Sequence, residues 1–90
     1  MFFFSAHIEG ESAWPELIPG KNYFATSFFK PKVGDFIVFH NPKNLKDIFV
    51  KKIKAMKSNS YFVTGTVSFA ESSKSFGWVN KDLVLGKILK

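Results

Sequence analysis

Pro31-Lys32-Val33-Gly34-Asp35-Phe36-Ile37-Val38-Phe39-His40 is a turn that delivers the chain into a strand. Proline presets φ for a turn, glycine admits the conformations that other residues avoid, and the aromatic and β-branched residues that follow suit a pleated surface. Upstream, residues 22–29 are rich in Tyr, Phe and Thr and predict a strand leading into this turn. Further upstream, residues 2–8 are aromatic and apolar with a small polar break, a pattern suited to a buried strand.

Downstream, Asn41-Pro42-Lys43-Asn44-Leu45-Lys46 interrupts the pattern. Residues 48–55 then set Ile48, Val50, Ile53 and Ala55 against Lys51, Lys52 and Lys54, with a slip at Lys51 and Lys52 that predicts a bulge. Lys57-Ser58-Asn59-Ser60 is a polar turn, so residues 48–64 predict a hairpin. The serine-rich residues 65–77 predict a loop with Phe69 and Phe76 as anchors, and a turn at Asn80-Lys81-Asp82 predicts entry into a last strand over residues 84–89. Many short strands without a long amphipathic helix predict a mainly β fold, a small coiled β-sheet or barrel with little helix, built as one domain over residues 1–90.

Composition narrows the chemistry. The 90 residues include 12 Phe, enough bulk for a packed core at this size. With no cysteine and only His7 and His40 as imidazoles, neither a disulfide framework nor a metal centre is expected, and no cofactor motif is present. The net charge of +6 is only partly clustered, at Lys43, Lys46, Lys51, Lys52, Lys54 and Lys57, and a solvated basic surface accounts for it better than a nucleic-acid partner. The apolar opening at residues 1–4 is far short of the ~20 residues a membrane span needs, which favours a cytoplasmic or peripheral membrane setting and leaves membrane association open.

Without cysteine or a well-placed histidine, a serine nucleophile would need a lysine whose burial favours the neutral amine. Ser12 sits in a Gly/Pro-punctuated loop after the first strand, where its own N–H could serve an oxyanion hole, and Lys51 lies among apolar neighbours. A serine after glycine also suits a plain turn, and a Lys-Lys pair also guards a strand edge.

Gly10-Glu11-Ser12-Ala13-Trp14-Pro15-Glu16-Leu17-Ile18-Pro19-Gly20 resembles the nucleophile box of type I signal peptidases, G-x-S-M-x-P-T-L-x-x-G-D. In the same order, Pro31-Lys32-Val33-Gly34-Asp35-Phe36-Ile37-Val38-Phe39 is similar to the family's p-x-x-G-D-[IV]-V-V-F segment. Val50-Lys51-Lys52-Ile53 is similar to V-K-R-V, and Asp82-Leu83-Val84-Leu85-Gly86-Lys87-Ile88 to the closing i-x-G-k-v strand. Tyr61-Phe62-Val63-Thr64-Gly65 and Lys74-Ser75-Phe76-Gly77-Trp78-Val79 look like the edges of a further box, G-D-N … S-x-D-S-R-x-F-G-x-V.

The resemblance implies the catalytic core shared with LexA-type repressors and a compact build close to nickel-superoxide-dismutase maturation peptidases. It implies a serine endopeptidase with Ser12 as nucleophile and Lys51 as general base, the loop residues Gly10, Ser12 and Ala13 around the oxyanion site, and Ser72 or Ser73 supporting the lysine. Its partner would be an extended leader or signal-type peptide, cut after small residues. The sequence departs from the pattern at Ala13 (Met), Glu16 (Thr), Lys21 (Asp) and Thr66-Val67 (Asp-Asn), and sets Ala70, Ser72 and Lys74 where the family has Ser, Asp and Arg. The alternative implied is a relative that binds peptide without cleaving it.

Overall fold

The computed structural model describes residues 3–8, 14, 16–42, 44–64 and 78–89, with the backbone alone at Thr64. Among these residues, seven strands form one antiparallel sheet that is not closed into a barrel. They are β1 (Phe3–His7), β2 (Asn22–Thr26), β3 (Phe36–Asn41), β4 (Asn44–Met56), β5 (Ser60–Thr64), β6 (Trp78–Asn80) and β7 (Val84–Leu89). Their order across the sheet is β1-β2-β7-β3-β4-β5-β6, so the first and last positions are edges. The only helical piece among the described residues is a 3-10 turn, Lys81–Leu83, capped by Asn80 Oδ1, which accepts from the Asp82 N–H at 2.9 Å.

Strand β3 organises the packing. Its side chains alternate, so Phe36 and Val38 enter one cluster with Ala6, Ile8, Leu17, Ala25 and Ile88. Ile37 and Phe39 enter a second cluster with Ile53, Tyr61, Val63 and Val79 on the opposite face. The turn before β3 is fixed by Gly34 at φ 97°, by the Lys32 N–H donating to Asp35 Oδ2 at 2.8 Å, and by Lys87 Nζ at 3.3 Å from the same oxygen. Asp35 thus both fixes a turn and pairs with a base. Main-chain bonds from the Gly34 N–H to Ile53 O (2.9 Å) and from the Ile53 N–H to Asp35 O (2.8 Å) extend the β3–β4 ladder.

Several expected boundaries move. Strand β1 is a half-exposed edge rather than a buried strand, because Phe3, Ser5 and His7 point away from the core that Ala6 enters. Strand β2 stops at Thr26, whose Oγ1 accepts from the Phe28 N–H at 3.0 Å and bends the chain, leaving Phe28 and Phe29 exposed with rings 5.1 Å apart. The break expected over residues 41–46 is a tight turn, since β4 already pairs at Asn44 with Asn41. Pairing also makes a strand of Trp78–Asn80, between the expected loop over residues 65–77 and a turn expected to begin at Asn80. The pairing slip in β4 falls between Ile53 and Ala55, not at Lys51 and Lys52.

In β7 a register shift opposite Val38 and Phe39 turns both Leu85 and Ile88 toward the first cluster. Gly86, between them, packs against the main chain of β2: a Cβ there would lie 2.6 Å from Thr26 O and 2.9 Å from Phe4 Cε1. The Thr26 main chain on one side leaves little room to yield, whatever the Phe4 ring does on the other. Gly86→Ala is expected to cost about 1–3 kcal/mol, lowering the thermal midpoint by roughly 4–8 °C per kcal/mol; an unchanged circular-dichroism melt would contradict this packing.

Candidate functional site

Among the described residues, the buried polar side chains are Thr26 and Lys51. Lys51 is 3% exposed. It lies opposite Ile37 in the β3–β4 ladder and leaves β4 on the face of Phe49 and Ile53, against the second apolar cluster. The sequence grouped Ile48, Val50, Ile53 and Ala55 as the apolar face. The strand instead keeps strict alternation through Lys51, leaving Ile48 more than half exposed and burying a lysine in its place.

The segment that carries Ser12 is built around a narrow neck. The Ile8 N–H donates to Lys21 O at 3.0 Å, and the Gly20 N–H donates to Ile8 O at 2.7 Å. Gly20 adopts φ 83°, which glycine takes without strain. Beyond the neck, Leu17 is fully buried in the first cluster, and the Ile18 N–H donates to the Tyr23 hydroxyl at 2.9 Å. Glu16 meets Lys52 Nζ with both carboxylate oxygens, at 2.9 and 3.1 Å. Gly10, Ser12 and Ala13 lie outside the described residues, as do Ser72 and Ser73 and the whole of residues 65–77.

A groove of about 260 Å³ opens between β1 and β4. Phe4, Ser5, Ala6 and His7 line one side, Ile48 and Val50 the other, with Val38 and Leu85 between. Two strand edges meet it. Among the described residues, β1 pairs with β2 alone, and Asn44 and Ile48 to Lys51 of β4 pair with β3 alone, the pairing with β5 running from Lys52 to Met56. Sequence reading did not assemble this groove, whose walls are four strands apart in the sheet order; its signal was the short apolar alternation at Phe4 and Ala6 and at Ile48 and Val50.

The histidines take local roles. His7 Nδ1 is 2.6 Å from Asn22 Oδ1, and His40 Nδ1 is 2.9 Å from Leu45 O. No group of three or more metal-ligating side chains occurs among the described residues, and no described helix is long and apolar enough to cross a membrane.

Compared with known families, residues 1–57 match the family described as signal peptidase, peptidase S26. The matched span holds the neck, the groove-lining parts of β1 and β4, Ser12 and Lys51. No curated protein matches the chain.

Leu17 is the one apolar side chain by which the loop beyond the neck enters the first cluster among the described residues. Leu17→Ala is expected to destabilise the protein by about 2–5 kcal/mol, read from urea denaturation. A loss under ~1 kcal/mol would mean that the loop is not anchored through this residue.

Proposed function

The chain belongs to the signal peptidase, peptidase S26, family, and from that premise we propose that it is a serine endopeptidase that cleaves an extended leader or signal-type peptide with Ser12 and Lys51. The observation that supports the reading is the groove between β1 and β4, each flanked there by a single strand among the described residues, with Lys51 next in sequence to the groove-lining Val50. An extended segment laid there adds a strand: main-chain bonds hold it, while alternate side chains enter the apolar wall. Phe4, Ala6, Val38 and Val50 favour a small or aliphatic side chain on that wall.

In this mechanism the Ser12 hydroxyl attacks the scissile carbonyl while the neutral Lys51 amine takes its proton. Lys51 is buried opposite Ile37, and removal from water disfavours the charged form of an amine. The Ser12 N–H stabilises the tetrahedral oxyanion. The ammonium then returns the proton to the leaving amine, and water, activated by the same lysine, releases the acyl group. Ser72 or Ser73 supplies a hydroxyl that orients the lysine. The departures from the family pattern in residues 65–77 motivate a second reading, a relative that keeps the groove and binds peptide without cutting.

Wild type, Ser12→Ala and Lys51→Met incubated with extended peptides containing small residues, analysed by mass spectrometry, separate these readings. Cleavage by wild type alone is expected, with each substitution lowering the rate by at least ~10³-fold. Cutting that survives both substitutions rules out the pair, and binding without cutting by wild type supports the second reading. The rate should rise with pH as Lys51 loses its proton, since only the neutral amine accepts one. A profile flat through neutral and alkaline pH would exclude Lys51 as base.

A further inference from the structure

Lys52 follows Lys51 and, by strand alternation, leaves β4 on the opposite face. Its Nζ donates to both oxygens of Glu16, at 2.9 and 3.1 Å, and stands 5.9 Å from the centre of the Phe36 ring. Glu16 lies four residues after Ser12, beside the buried Leu17. The family pattern has threonine where this chain has Glu16, so the carboxylate is a feature of this sequence.

Sheet order shows what the pair does. The neck ties the Ser12 loop to β1 and β2, whereas Lys51 belongs to β4, and β7 and β3 stand between β2 and β4. Through the ladder alone, the relative position of loop and β4 would depend on every intervening pairing. The Glu16–Lys52 contact spans the gap directly, from a residue of the loop to the neighbour of Lys51. Both side chains are about one-third exposed, so the pair contributes little to global stability.

We propose that the Glu16–Lys52 ion pair is a positioning latch that fixes the Ser12 loop against the strand bearing Lys51. The catalytic part of this assignment rests on the Ser12/Lys51 reading. Lys52 and Glu16 are positioning residues and take no proton in the reaction.

The test combines amide hydrogen exchange of residues 16–21 with peptide cleavage, for wild type, Lys52→Met, Glu16→Gln and Lys52→Arg, with Lys87→Met breaking the Asp35 pair as a control. Loss of the latch in Lys52→Met or Glu16→Gln is expected to speed exchange in this segment by about 5-fold or more and to lower kcat by about 5- to 10-fold, with KM and melting temperature held. Lys52→Arg restores both readouts, because guanidinium pairs a carboxylate bidentately, and Lys87→Met changes neither. Unchanged exchange in Lys52→Met and Glu16→Gln overturns the latch whatever the activity. Faster exchange with unchanged kcat overturns its role in catalysis. Latch-dependent exchange in a chain that cleaves nothing as wild type keeps the latch and refutes the peptidase reading.

Discussion

Phe36, Ile37, Val38 and Phe39 send their side chains alternately to two faces of β3, and neither face meets water. Each fully buried side chain of this kind contributes roughly 1.5–3 kcal/mol, so the four together are comparable with the typical ~5–15 kcal/mol net stability of a domain. A single sheet can satisfy such a strand only by wrapping its own ends over the middle. Here β1, β2 and the loop at Leu17 cover one face, and β5 and β6 cover the other. The groove between β1 and β4 follows from this wrapping, since covering the first face brings a sheet edge over the open flank of β4.

The same alternation governs the two adjacent lysines. Register with β3 pairs Lys51 with Ile37 and Lys52 with Phe36, which assigns one to each face. Lys51 is therefore buried on the side of the second cluster, while Lys52 reaches a partly exposed carboxylate. Sharing a charge and a position in the sequence, they differ because a strand turns successive residues through half a revolution. Moving β4 by one residue would exchange their environments, and the Gly34, Asp35 and Ile53 main-chain bonds oppose that slip.

Much of the β framework was legible in local chemistry. The turn at Gly34, the hairpin of β4 and β5 and the last strand are written in proline, glycine and β-branched residues, and their positions held within a few residues. What was not legible depended on partners distant in sequence. Nothing near Phe3 says that β1 is an edge, nothing near Asn44 says that a neighbour extends β4, and Trp78–Asn80 is a strand only because β5 lies beside it. At the site, the burial of Lys51 agrees with a lysine in an apolar run, but the face it takes was set by β3. Glu16 read as a departure from a family pattern; its ion pair with Lys52 required the fold to bring residues 36 positions apart together.

The neck at Ile8, Gly20 and Lys21 is closed by main-chain atoms only. Its bonds do not depend on which side chains lie between, apart from the glycine that its φ favours. The closure itself therefore tolerates changes in the segment it spans, other than at the Leu17 anchor, because closing a somewhat longer loop costs little entropy. Loop and sheet are thus joined both by a main-chain closure indifferent to side-chain identity and by the apolar anchor at Leu17.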